Sequence, residues 1–150
     1  MISRRSFLSA AAVALVARPR NLFAASMMPE LTVYKSPTCN CCTKWISHME
    51  SAGFKVTAHD TNDMDTVKKN FGVPSALQSC HTGVIGGYAL EGHVPADVVK
   101  KLLAEKPKDV RGLAVPGMPM GSPGMEGGRV DHFNIVAFDK AGKSRVYASR

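Results

Sequence analysis

Three of the four cysteines stand where a predicted strand gives way to a predicted helix. Residues 31–34 alternate between apolar and polar side chains as a short strand does, and Pro37 ends that pattern. From Cys42 to Met49 the apolar residues recur at helical spacing, and Gly53 marks the end of the helix. The chain must therefore fold so that a cysteine-bearing turn connects a strand to the helix that follows it.

Downstream patterns extend this unit to an α/β fold. They predict a strand at 54–59, a helix at 64–71 capped by Asp63, strands at 82–85 and 88–91, and a helix at 95–105. The two adjacent strands are joined by two glycines, which is typical of a hairpin turn. The order βαβαββα combines a crossover with a later hairpin and gives a mixed sheet covered by helices. This is the order of the thioredoxin fold, so we expect a thioredoxin-like sheet.

The C-terminal part is predicted as a loop followed by a closing hairpin. Segment 115–128 holds three prolines, five glycines and three methionines, so we expect an irregular Gly/Pro/Met-rich loop there. Residues 133–139 and 144–148 have strand patterns and flank Gly142, as the arms of a β-hairpin do. We interpret 27–150 as one domain.

Residues 1–26 have the order of an export signal. The segment Ser-Arg-Arg-Ser-Phe-Leu at 3–8 resembles the twin-arginine motif, and an alanine-rich apolar stretch follows it. Small residues at Ala24 and Ser26 offer a cleavage site. We predict a twin-arginine-type signal peptide at 1–26 and a mature protein in a bacterial periplasm. The apolar stretch is shorter than the roughly 20 residues that a membrane-spanning helix needs.

The basic balance of the chain comes mostly from this predicted signal. The chain has 19 Lys and Arg against 12 Asp and Glu, and 1–26 holds four of the arginines and no acidic residue. The other basic residues are scattered and form no stripe interleaved with aromatic residues, which argues against a nucleic-acid partner.

The cysteine spacing permits two kinds of chemistry. Cys39 and Cys42 form a Cys-x-x-Cys pair at a helix start, where helix-end N–H groups lower thiol pKa values, and this favours a disulfide oxidoreductase. Cys41 adds a third thiol, which gives a redox pair no obvious benefit because it can scramble the disulfide. Closely spaced thiolates are soft ligands that suit copper(I) and zinc. We therefore expect a metal site.

Three later residues are expected to complete that site. In a thioredoxin-like chain the loop before the third strand faces the start of the first helix, and Cys80 and His81 occupy that loop. His93 follows the fourth strand and should lie on the same rim. Imidazole is a ligand that suits copper in either oxidation state. The predicted metal residues are Cys39, Cys41, Cys42, Cys80, His81 and His93.

Other interpretations of these cysteines stay open. Four cysteines in an exported protein can form two structural disulfides, although the adjacent Cys41 and Cys42 cannot readily both bridge without strain. Structural zinc has enough ligands here but lacks the usual paired spacing. The loop methionines Met118, Met120 and Met125 are either soft copper ligands in a lid or part of a flexible apolar loop.

The chain resembles a known family, the CopG-type periplasmic proteins of bacterial copper-resistance systems. The likeness is carried by segments 34–42, 79–82, 91–95 and 112–125. It implies a thioredoxin-like fold whose Cys-x-Cys-Cys group takes part in binding copper for periplasmic copper tolerance. Asn40 departs from the small residue, commonly glycine, expected at that position of the motif.

We therefore expect copper, with copper(I) favoured and zinc as the other metal. The resemblance leaves open whether the protein stores copper, passes it to another periplasmic copper protein or changes its oxidation state. The rival hypothesis is a periplasmic thiol-disulfide oxidoreductase that uses Cys39 as the attacking thiol and Cys42 as the resolving one.

Overall fold

The structure is a computed structural model that describes residues 28–150. The predicted signal peptide at 1–26 lies outside the described residues. The elements are β1 (Leu31–Lys35), α1 (Asn40–Ser51), β2 (Val56–Asp60), α2 (Met64–Asn70), β3 (His81–Ile85), β4 (Tyr88–Glu91), α3 (Ala96–Glu105), β5 (Gly112–Ala114), β6 (Asn134–Phe138) and β7 (Ser144–Ser149). A short 3₁₀ turn, Ser75–Leu77, precedes β3.

The strands form one mixed sheet in the order β2-β1-β3-β4-β5-β6-β7. Strand β1 runs parallel to β2 and antiparallel to β3, and β3 is antiparallel to β4. The mixed α/β fold predicted from the sequence is confirmed, and the arrangement of the first four strands is compatible with a thioredoxin-like sheet. In this arrangement the turn after β1 and the turn before β3 lie side by side at the same end of these two strands.

The core explains why α1 lies where it does. The apolar face of α1, which includes Trp45 and Met49, is fully buried against Leu31 and Val33 of β1. The Trp45 Nε1–H donates a hydrogen bond to the Val94 carbonyl at 2.9 Å, so the only polar atom of the indole is satisfied. This packing fixes the first turn of α1 relative to the end of β4.

The predicted helix boundaries hold to within two residues. The Asp63 side chain accepts a hydrogen bond from the Thr66 backbone N–H and caps α2 as expected. Helix α1 begins two residues earlier than predicted, at Asn40, with Cys39 as its N-cap. Gly53 ends α1 in a left-handed conformation, at φ +92°.

Strand β5 is not predicted by the sequence pattern. Its three residues pair in parallel with β4 and antiparallel with β6. A three-residue segment that begins with glycine gives no alternating pattern, so only its two neighbours define it as a strand. A Cβ atom at Gly112 would overlap the Ala89 carbonyl and the Phe138 ring, which explains why glycine fits there.

The C-terminal part follows the prediction. Residues 115–128 form turns and bends without a helix or strand, and β6 and β7 make the closing hairpin. No helix in 28–150 is long and apolar enough to cross a membrane.

Candidate metal and thiol site

Three cysteines occupy the start of α1. Cys39 is the N-cap, Cys41 lies half-buried in the first turn, and Cys42 is fully buried beneath them. Cys39 and Cys42 are joined by a disulfide, with their Cα atoms 5.3 Å apart. Cys39 is therefore the more accessible cysteine of this Cys-x-x-Cys pair, because it is half-buried and Cys42 is fully buried.

The sheet brings a fourth cysteine to this turn. Strands β1 and β3 are antiparallel, and Lys35 at the end of β1 pairs with His81 at the start of β3. Cys80, the residue before β3, therefore lies beside the turn that follows β1. The Cys41 Sγ is 3.6 Å from the Cys39 Sγ and 3.9 Å from the Cys80 Sγ. Cys41 and Cys80 are free thiols.

Two histidines face Cys80, one from the start of β3 and one from just after β4. The Cys80 Sγ is 3.3 Å from the His81 Nδ1 and 3.1 Å from the His93 Nε2, and both imidazole rings are fully buried. The backbone N–H of Gly92 donates to the His81 carbonyl and holds the two histidine-bearing segments together. The rings of His81 and His93 stack with centroids 5.5 Å apart.

The donor atoms form two overlapping groups. The four cysteines are one group and Cys80, His81 and His93 are the other, and within each group the donor atoms lie within 4.8 Å of one another. All six residues predicted as metal-site residues thus meet in one cluster, and Cys80 belongs to both groups. Of the remaining histidines, His59 and His132 are exposed, and His48 accepts a hydrogen bond from the Ala96 N–H.

Burial favours the uncharged forms of Cys80, His81 and His93. Desolvation, together with the neighbouring Cys41, raises the pKa of Cys80 to about 12. Burial lowers the pKa of His93, and burial with the nearby His93 and Lys68 lowers the pKa of His81 well below its usual range. At neutral pH the site therefore holds a protonated Cys80 thiol and neutral imidazoles. Neutral imidazoles can bind a metal directly, whereas Cys80 must first lose its proton.

One polar atom of the site is buried without a partner. The His81 Nε2 makes no hydrogen bond to any residue in 28–150, and the Trp45 ring packs on the imidazole at a centroid distance of 4.4 Å. A buried polar group without a partner costs about 1–3 kcal/mol. A soft or borderline metal ion fits these donors, because thiolate and neutral imidazole are the ligands that copper and zinc prefer.

A buried ion pair supports the Cys80 turn. The Lys68 Nζ is 2.5 Å from the Glu91 Oε1, and both side chains are buried. The same carboxylate accepts hydrogen bonds from the Ser79 backbone N–H at 2.6 Å and the Thr82 hydroxyl at 2.7 Å. Burial raises the pKa of Glu91, while Lys68 and these donors lower it. The carboxylate thus accepts hydrogen bonds from the residues on both sides of the Cys80-His81 pair.

No sequence pattern indicates this ion pair. Lys68 belongs to a short helix with charged neighbours, and Lys and Glu are seldom fully buried, so the sequence pattern does not indicate a buried pair. Only the sheet pairing of Thr82 with Glu91 brings the carboxylate beside the Cys80 turn.

The Gly/Pro/Met-rich loop packs against the site. A Cβ atom at Gly124 would lie 2.7 Å from the Cys41 carbonyl, so the loop backbone directly contacts the first turn of α1. The Ser79 hydroxyl donates to the Gly117 carbonyl at 2.5 Å. Ser122 is fully buried, and its Oγ lies 3.3 Å from the His93 Nδ1. Loop packing of this kind has no periodic sequence signal, so Ser122 was not predicted as a site residue.

The loop methionines differ in exposure. Met118 is 52% exposed, whereas Met120 and Met125 are half-buried. The contacts of Gly124 with Cys41 and of Ser122 with His93 show that the loop packs on α1 and on the segment that follows β4.

Known proteins resemble this chain at the level of family and structure. Residues 77–125 match a family model described as "Protein of unknown function, DUF411". Two solved structures of a copper resistance protein, CopG, in forms 1 and 2, are each 47% identical to the chain, with a TM-score of 0.77. Each alignment covers 82% of this chain and 98% of the other. Comparison with curated protein sequences found no match.

Proposed function

Because the chain belongs to the family of the copper resistance protein CopG, we propose that it is a periplasmic copper-handling protein that binds copper(I) through the cysteine–histidine cluster. The observation that carries this proposal is that four cysteine sulfurs and two imidazoles form two donor groups that share Cys80. The proposed ligands are Cys39, Cys41, Cys42, Cys80, His81 and His93.

The choice of copper(I) follows from the donor set. Thiolate is the softest ligand that a protein offers, and copper(I) is softer than zinc(II). Thiolates can also bridge two ions, so a group of four sulfurs suits more than one copper ion. Zinc(II) is the competing metal, since it accepts sulfur and imidazole together.

The disulfide sets a condition on this function. Neither sulfur of the Cys39–Cys42 bond is a thiolate, so the oxidised chain offers only Cys41 and Cys80 as thiol ligands. Reduction by two electrons releases two more thiols at the start of α1. We infer that the reduced chain is the form that binds copper(I) most fully.

Metal analysis and copper-edge X-ray absorption of the reduced, copper(I)-loaded protein test the proposal. The expected first shell is dominated by sulfur, with a nitrogen contribution that falls when His93 is changed to Asn. A first shell without sulfur, or preferential retention of zinc when both metals are offered, would contradict the assignment.

The disulfide also favours a second function, thiol-disulfide exchange. Cys39 is the accessible sulfur of the pair and Cys42 is buried, so the Cys39 thiolate would attack a substrate disulfide and Cys42 would resolve the mixed disulfide. The substrate would gain two electrons and the chain would regain its disulfide. Turnover with a dithiol reductant should then persist in Cys41→Ser and vanish in Cys39→Ser, and an unmodified protein without turnover would exclude this function.

Export through the twin-arginine route is part of the proposal. It is supported by the Arg4-Arg5 pair and the alanine-rich stretch that follows. Cell fractionation should find the wild-type protein in the periplasm and the Arg4→Lys, Arg5→Lys double variant in the cytoplasm. Equal distribution of the two proteins would remove this part of the proposal.

A further inference from the structure

The two ring nitrogens of His93 face different groups. The Nε2 lies 3.1 Å from the Cys80 Sγ, and the Nδ1 lies 3.3 Å from the Ser122 Oγ. A neutral imidazole carries one N–H and one lone pair, and only the nitrogen with the lone pair can bind a metal or accept a thiol proton. The chemistry of His93 therefore depends on which nitrogen carries the hydrogen.

The hydrogen bonds of the Ser122 hydroxyl determine which nitrogen of His93 carries the hydrogen. Its Oγ donates a hydrogen bond to the Pro119 carbonyl at 2.7 Å, and a carbonyl oxygen can only accept. A hydroxyl has a single hydrogen, so Ser122 has only lone pairs left for His93. The hydrogen between these two residues must then belong to the His93 Nδ1.

Ser122 is held in place by its own turn. Its backbone N–H donates to the Pro119 carbonyl at 3.2 Å, and its carbonyl accepts from the Met125 N–H at 2.8 Å. The side chain is fully buried, so water does not compete for the hydroxyl. The geometry leaves the hydroxyl directed at Pro119 and its lone pairs directed at His93.

We propose that Ser122 is a positioning residue that keeps the hydrogen of His93 on Nδ1 and so presents the Nε2 lone pair to Cys80 and to a copper ion bound there. The Gly/Pro/Met-rich loop then contributes the Ser122 hydroxyl, which acts on the site through His93. The effect on copper rests on the proposed function, whereas the hydrogen position is a property of the metal-free protein.

The experiment is long-range ¹H–¹⁵N correlation NMR of the reduced, metal-free protein near neutral pH, in the wild type, Ser122→Ala and Ser122→Thr. The wild type should show His93 with Nδ1 protonated and Nε2 unprotonated. Ser122→Ala should shift the population towards the form protonated on Nε2, and Ser122→Thr, which keeps the hydroxyl, should resemble the wild type. Ser144→Ala, at an exposed serine of β7, is the matched control and should change nothing.

Copper(I) affinity provides the second measurement. Loss of a partner that orients a ligating histidine typically lowers metal affinity by about 10- to 100-fold, and we expect a decrease of that size in Ser122→Ala with recovery in Ser122→Thr. A wild-type His93 with hydrogen on Nε2, or an unchanged hydrogen position in Ser122→Ala, would overturn the proposal. If the hydrogen moves as expected but the wild type binds no copper, the proposed function fails while the role of Ser122 stands.

Discussion

The Cys41 Sγ lies 3.9 Å from the Cys80 Sγ, although the two residues are 39 positions apart in the chain. One sulfur belongs to the first turn of α1 and the other to the turn before β3. This contact joins the four-cysteine group to the group formed by Cys80 and the two histidines. Because Cys41 belongs to the four-cysteine group alone, a change at Cys41 tests that group without removing a member of the other.

Cys41→Ser should weaken copper(I) binding and leave the fold intact. Cys41 takes no part in the disulfide and is only half-buried, so the free energy of unfolding should change by no more than about 0.5 kcal/mol. Copper content after gel filtration measures the loss of binding, and urea unfolding measures the change in the free energy of unfolding. Thr43→Ser, on the same helix turn and exposed, is the control. Unchanged copper content and affinity would show that Cys41 is not a ligand.

Oxidation of Cys39 and Cys42 should reduce copper(I) binding. The disulfide removes two of the four sulfurs, and we expect the apparent affinity to fall at least about tenfold, or ~1.4 kcal/mol. Reduced and oxidised samples can be compared with a thiol-free competing chelator, with a thiol count after each titration to verify the redox state. The Cys39→Ser, Cys42→Ser double variant should be insensitive to oxidation of this pair. Equal affinity of the two wild-type forms would contradict the inference that reduction completes the site.

Alkylation of Cys80 should depend steeply on pH. Its pKa is raised to about 12 by burial and by Cys41, so the thiol is protonated throughout the neutral range and the reactive thiolate is scarce. Below that value the labelling rate should rise about tenfold for each pH unit. Mass spectrometry of the oxidised protein, in which Cys41 and Cys80 are the free thiols, measures this rate.

Cys41→Ser provides the check on the cause. Because Cys41 raises the pKa of Cys80, its removal should move the labelling profile of Cys80 to lower pH. A profile that reaches its plateau near pH 9 in the wild type would show that Cys80 is not perturbed.

Glu91→Gln should destabilise the protein by about 3–5 kcal/mol, because it leaves the buried Lys68 ammonium without its counter-charge. The Lys68→Met, Glu91→Gln double variant should lose less than the sum of the two single losses. Urea unfolding of the reduced proteins measures both effects. Lys69→Met, at an exposed neighbour on α2, should have little effect. A loss below about 1 kcal/mol in Glu91→Gln would mean that the pair contributes little to stability.

The parts of the site that were predictable arise from local pattern and simple topology. The strand, cysteine turn and helix are contiguous, so periodicity alone indicated them. The meeting of Cys80 with the start of α1 followed from the expected strand order, because an antiparallel β3 must begin where β1 ends.

The parts that were not predictable depend on tertiary contacts. Strand β5 is too short to show a pattern and is defined by its neighbours. Ser122 and Glu91 act through hydrogen bonds to residues 29 and 12 positions away, to His93 and Ser79 respectively, and nothing in the sequence around them signals such partners. The division of the cysteines into one disulfide and two free thiols was likewise left open by their spacing.

The most direct test of copper binding by the cysteine cluster is an anaerobic copper(I) titration of the fully reduced protein against a competing chelator. We expect tight binding of at least one copper ion per chain, and binding that is lost or much weakened in Cys41→Ser. Weak binding in the wild type, or binding that is indifferent to Cys41, would contradict the copper assignment and leave thiol-disulfide exchange as the function of the cysteines.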